Sequence, residues 1–157
     1  MSKNTKRKIR QIGIFLFIVY VMLLSYVLFF SEAYGRMAAE ESIYRYNLKP
    51  FAEIRRFWVY RSQVGLSAFF LNVFGNVIGF IPFGFILPVI SRRWRSGFLI
   101  VLSGFCLSFC VETIQLVTKV GCFDVDDLIL NTAGAAAGYL LFAVCDHLRR
   151  KHYGEKI

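Results

Sequence analysis

The chain has 157 residues, 57% of them hydrophobic and 18% charged, with a formal net charge of +9. Apolar content this high, gathered into long runs, excludes an ordinary water-soluble domain. The positive charge flanks those runs instead of lining one face, which argues against a nucleic-acid surface and fits anionic lipid headgroups.

A basic tail occupies residues 1–11 (Lys3, Lys6, Arg7, Lys8, Arg10), followed by an apolar run over 12–30. A signal peptide would share this charge pattern and could be cleaved at Ser31-Glu32-Ala33. However, the run exceeds the ~7–15 residues of a signal-peptide core, so it reads as a first span. Segment 31–67 mixes charge with Tyr34, Tyr44, Tyr46, Phe51, Phe57, Trp58 and Tyr60. Aromatic residues beside arginine suit the headgroup layer, and the segment reads as an amphipathic cap broken at Pro50. Its Arg55, Arg56 and Arg61 suit phosphate contact.

Three further apolar runs follow at 69–90, 97–117 and 128–145, with a basic tail over 146–157. Helices of about 18–22 residues match a hydrocarbon core of ~30 Å, and lipid leaves a lone segment no other way to satisfy its backbone. The expected fold is an all-α membrane protein with four transmembrane helices. Lys and Arg concentrate in both tails and in the 92–95 connector, so both termini are expected in the cytoplasm. Segment 31–67 is then extracytoplasmic, although it carries six positive residues of its own.

Polar residues recur inside the runs at helical spacing. Asn72 and Asn76 share one face of the second span, and Ser108, Glu112 and Gln115 share one face of the third. Asp127 and Asn131 lie one turn apart at the start of the fourth, behind Asp124 and Asp126. The topology sets all of these at one depth, in the outer half of the bilayer. An ionised carboxylate in a span costs ~2.5–3.5 kcal/mol near the centre, so Glu112 should be shielded. It is expected to be protonated or paired with Gln115 or an Asn amide. The cluster reads as a ligand site or as interhelical glue.

Gly75…Gly79 and Gly134…Gly138 have the spacing of close helix packing. Pro82 and Pro88 are expected to kink the second span. Cys106, Cys110, Cys122 and Cys145 have no metal-ligand spacing, and the first two read as small packing residues. No metal or other cofactor is expected.

The chain resembles the VanZ-like family of bacterial membrane proteins over about residues 47–142. The resemblance rests on Asn47-Leu-Lys-Pro-Phe51, Asn72-Val-Phe-Gly-Asn76, Phe80-Ile-Pro-Phe-Gly84 and Ser108. It continues through Glu112-x-x-Gln115, Phe123-Asp-Val-Asp-Asp127, Asn131-Thr-x-Gly134 and Gly138. It implies a place in the bacterial cell envelope and an association with low-level resistance to teicoplanin, a lipid-bearing glycopeptide. It implies no catalytic assignment.

Three functions stand open from the sequence. One is a non-enzymatic protein binding a lipid-linked cell-wall precursor or lipoglycopeptide at the outer leaflet. Another is an intramembrane enzyme using the Glu/Asp cluster as acid, base or cation ligand. The third is an oligomeric transporter subunit. The polar pattern leaves the oligomeric state open.

Overall fold

The computed structural model describes residues 3–30, 44–60 and 66–153. Arg61, Tyr34 and the proposed cleavage site lie outside the described residues. Within them the chain forms α1 (Lys3–Phe30), β1 (Tyr46–Asn47), α2 (Ala52–Val59) and α3 (Leu66–Ile90). A 3₁₀ turn (Arg92–Arg95), α4 (Gly97–Thr118), β2 (Phe123–Asp124) and α5 (Val125–Tyr153) follow. Helices α1, α3, α4 and α5 are each long and apolar enough to cross a membrane. The sequence pattern did not anticipate the two short strands, which pair in parallel with Tyr46 opposite Phe123 and Asn47 opposite Asp124.

Helix α1 begins at Lys3, not at residue 12, because the basic tail contains good helix formers and no glycine or proline before Gly13. Helix α5 likewise continues through the basic residues to Tyr153. Helix α3 runs unbroken through Pro82 and Pro88, a tolerance seen in membrane helices whose neighbours compensate for lost backbone bonds.

The tightest packing joins α3 to α5. A Cβ on Gly134 would collide with the Val77 carbonyl, one on Gly138 with the Ile81 carbonyl, and one on Gly84 with the Ala135 carbonyl. Backbone therefore lies against backbone along this crossing. Ala135 also receives α4, where Gly104 leaves room for its methyl group. Ile100, Phe80 and Ala135 fill the centre and are almost wholly buried. By contrast, Gly79 has only Leu24 nearby, at 3.8 Å from where its Cβ would sit. Gly79 is therefore not needed for close approach, and Gly84 and Gly104 are packing residues that spacing alone did not single out.

Helix α1 lies at the edge, antiparallel to α3. Gly13 packs on Ile90, and the Phe17 and Phe83 rings lie 6.2 Å apart. The Tyr20 hydroxyl donates to the Gly79 carbonyl at 2.9 Å. Its outer face (Phe15, Ile18, Met22) is exposed, as expected of a surface bathed in lipid. Cys106 and Cys110 are exposed on α4 and do not pack within the bundle.

Replacing Gly134 or Gly138 with Leu should cost about 1–3 kcal/mol each through overpacking, while Gly79→Ala should stay within about 0.5 kcal/mol of wild type. Thermal unfolding in detergent reads the difference. Equal losses at the three positions would contradict the assigned contact.

Candidate functional site

The two ends of the bundle differ sharply in chemistry. One end collects the N-terminal basic residues, the Arg92–Arg95 turn and the last turns of α5. Tyr139 ties this end together by donating to the Arg95 carbonyl at 2.8 Å. Asp146, almost wholly buried, accepts from Arg149 at 2.9 Å and from Arg150. The other end holds the acid and amide residues of α3, α4 and α5, with α2 packed against α3 and α5.

At that end the chain must turn from α4 into α5. Lys119 adopts a left-handed conformation (φ 58°), and the Lys119 and Val120 N–H groups close on the Leu116 and Gln115 carbonyls. This is the geometry that satisfies orphan carbonyls at a helix end. The chain then enters β2. The buried Asp124 N–H donates to Glu112 Oε2 at 3.0 Å. Glu112 is only 2% exposed, as its shielding required, and its partner among the described residues is this backbone donor, where a Gln115 or Asn amide was the expected alternative to a proton. Asp124 in turn caps α5, its Oδ1 accepting from the Asp126 N–H at 2.8 Å. The same oxygen receives the Asn47 amide at 3.2 Å.

Asp126 reaches outward to a segment some seventy residues earlier. Its Oδ2 accepts from the Glu53 N–H at 2.9 Å and the Ile54 N–H at 3.1 Å, and its Oδ1 from the Phe51 N–H. These are amides at the N-terminus of α2, which carries no side-chain cap from its own N-cap residue, Phe51. Phe51 sits at φ 63°, a strained conformation for an aromatic residue. One buried carboxylate thus supplies the missing cap and holds that backbone.

The amides complete the cluster. Asn76 Nδ2 donates to Asp127 Oδ1, and Asn131 Nδ2 donates to Ser108 Oγ at 2.9 Å. Among the described residues the buried Asn131 Oδ1 accepts no hydrogen bond. Gln115 stands apart, donating to the Leu28 carbonyl at 2.9 Å and so capping the end of α1. Asn72 is half-buried, and its side chain makes no hydrogen bond among the described residues. Of the residues expected to meet, Asn76, Ser108, Glu112, Asp124, Asp126, Asp127 and Asn131 converge, while Asn72 and Gln115 do not. Asn47 belongs to the network although the polar spacing passed over it. Its only sequence signal was the Asn-Leu-Lys-Pro-Phe run.

Burial holds the Asp124 carboxyl above the usual carboxylate range, against the lowering effect of its hydrogen bonds. Glu53, at the start of α2, is also raised, mainly by burial and despite the nearby Arg56. Among the described residues no three His, Cys, Asp or Glu side chains stand together as a metal site. The carboxylates point to different donors instead. On the exposed side of α2, Arg56 pairs with Glu53 at 2.6 Å and stacks over Phe57. Arg55, Trp58 and Tyr60 are exposed.

The VanZ/LLP1 family model matches residues 17–146, which includes the second half of α1 and the full length of the polar network. The chain belongs to the VanZ/LLP1 family. Protein VanZ of Enterococcus faecium is 37% identical over 91 residues, covering 55% of this chain and 51% of the relative. The aligned part thus spans about half the length of that curated relative. No solved structure matches the chain. The family match begins well before residue 47 and takes in the second half of α1.

Asp126→Ala removes three acceptor contacts at the start of α2. A lost cap of about 1–2 kcal/mol should speed trypsin cleavage after Arg55 and Arg56 roughly five- to thirty-fold. Asp126→Asn, which keeps one acceptor oxygen, should fall between. Cleavage at the wild-type rate in Asp126→Ala would show that another contact seats α2.

Proposed function

We propose that this VanZ-like protein acts at the outer leaflet of a bacterial cell membrane, with both termini in the cytoplasm. There it binds a lipid-like or lipid-linked ligand. The observation that carries this reading is α2. A short helix with exposed Arg55, Trp58 and Tyr60 is fastened by Asp126 over the end of the bundle that lacks the basic clusters. Basic residues favour the cytoplasmic side, so the end bearing α2 faces outward. Aromatic side chains beside arginine suit the headgroup layer, where arginine recognises phosphate or carboxylate.

The acid–amide network serves this reading as the mount and not as the contact surface. Asp124 and Asp126 are committed to backbone and Asn47 donors, which leaves α2 as the surface presented to a headgroup. The chain's family is associated with low-level teicoplanin resistance. A lipoglycopeptide, like a lipid-linked cell-wall precursor, combines a polar head with a lipid tail. Either matches the proposed ligand class.

The test compares Arg55→Gln and Trp58→Ala with wild type in a teicoplanin-sensitive Gram-positive host, after confirming equal membrane insertion. Both variants should lose most of any protection against teicoplanin and retain less anionic lipid through purification. Unchanged susceptibility and unchanged lipid retention would reject α2 as the contact surface.

A further inference from the structure

Between α1 and α3, in the half of the bundle that holds the polar network, lies a partly open cavity of about 210 Å³. Leu23, Leu24 and Val27 of α1 form one wall, and Ile78 and Gly79 of α3 form the other. Asn76 and Asn131 also line it. The two helices touch below it through Gly13 and Ile90 and across it through Tyr20 and the Gly79 carbonyl. Near its upper end Gln115 holds the Leu28 carbonyl. Helix α1 is thus held near both ends and across its middle, with a gap left beside it.

We propose that this groove holds one acyl chain of an anionic amphiphile in that leaflet; the choice of leaflet rests on the function proposed above. Its wall on α1 runs from Tyr20 to Leu28, a rise of ~12 Å at 1.5 Å per residue. That is most of a single leaflet's hydrocarbon depth, ~15 Å. The groove is narrow as well as long, bounded by α1 on one side and α3 on the other, so a chain would lie along the helices.

Lipid tails are as apolar as the groove, so moving a chain into it gains no hydrophobic free energy. The gain is contact with walls that would otherwise lack partners on one side. Selection of the ligand must therefore come from its head. Helix α2, carrying the exposed Arg55, packs on α3 at the same end of the bundle and supplies charge complementary to an anionic headgroup.

The experiment reconstitutes the full chain in phosphatidylglycerol vesicles doped with phosphatidylglycerol bearing a mid-chain diazirine. After illumination, labelled peptides are mapped by mass spectrometry. Label should concentrate on residues 20–28 and 75–82. It should drop at least about fivefold there in Gly79→Leu, whose side chain enters the groove where a Cβ meets only Leu24. Val27→Phe should do the same from the α1 side, and Ala133→Leu on the exposed face of α5 should not. Label spread over the exposed faces of α1 and α4, or unchanged by both filling variants, would overturn the proposal. Groove labelling that persists in Arg55→Gln would support the chain site while removing the headgroup contact, so the two readings fail separately.

Discussion

A helix end inside or against a bilayer has backbone groups that water cannot satisfy, and this bundle meets that demand with side chains from distant segments. Asp126 closes the first amides of α2, Gln115 closes a carbonyl at the end of α1, and Glu112 holds the Asp124 N–H as the chain turns into α5. Each would leave a buried polar group unpaired if removed, at a cost of ~1–3 kcal/mol or more for a charged group. Carboxylates cluster at this end because that is where helices start and loops turn. The acidic network is the price of turning twice without water.

Once those ends are tied, the rest of the geometry follows. Gly84, Gly134 and Gly138 bring α3 and α5 into backbone contact, and Gly104 seats α4 on Ala135. That three-helix core leaves α1 on the outside, joined through Gly13, Tyr20 and Gln115. A peripheral helix held at separate points leaves a gap, and the gap opens toward lipid. The tight crossing and the loose one therefore have distinct roles: one sets the frame, and the other makes room for a chain.

Much of this was legible in the sequence. Run lengths near the bilayer thickness marked all four spanning helices, and i, i+4 spacing brought Asn76, Ser108, Glu112, Asp127 and Asn131 to one region. The Gly134-x-x-x-Gly138 stripe identified a true contact face. What periodicity could not supply was the choice of partners. Glu112 meets a backbone amide because the short β2 strand returns the chain over it, and a two-residue strand leaves no pattern. Asp126 and α2 are far apart in sequence, so only the fold reveals the cap. Gln115 shares a face with Glu112 but sits nearly a turn farther along α4, beside the Leu28 carbonyl at the end of α1. Gly84 and Gly104 were missed because neither falls in a GxxxG pair.

The central claim is that the β1–α2 segment is docked on the β2–α5 turn at the outward end of the bundle. A cysteine pair at Tyr46 and Phe123, which face each other across the parallel strands, tests both parts. The four native cysteines would first be replaced. The pair should crosslink under mild oxidation in intact cells, and a membrane-impermeant reductant should then open it. Failure to crosslink would contradict the docking. A crosslink opened only after the cells are permeabilised would contradict the outward orientation.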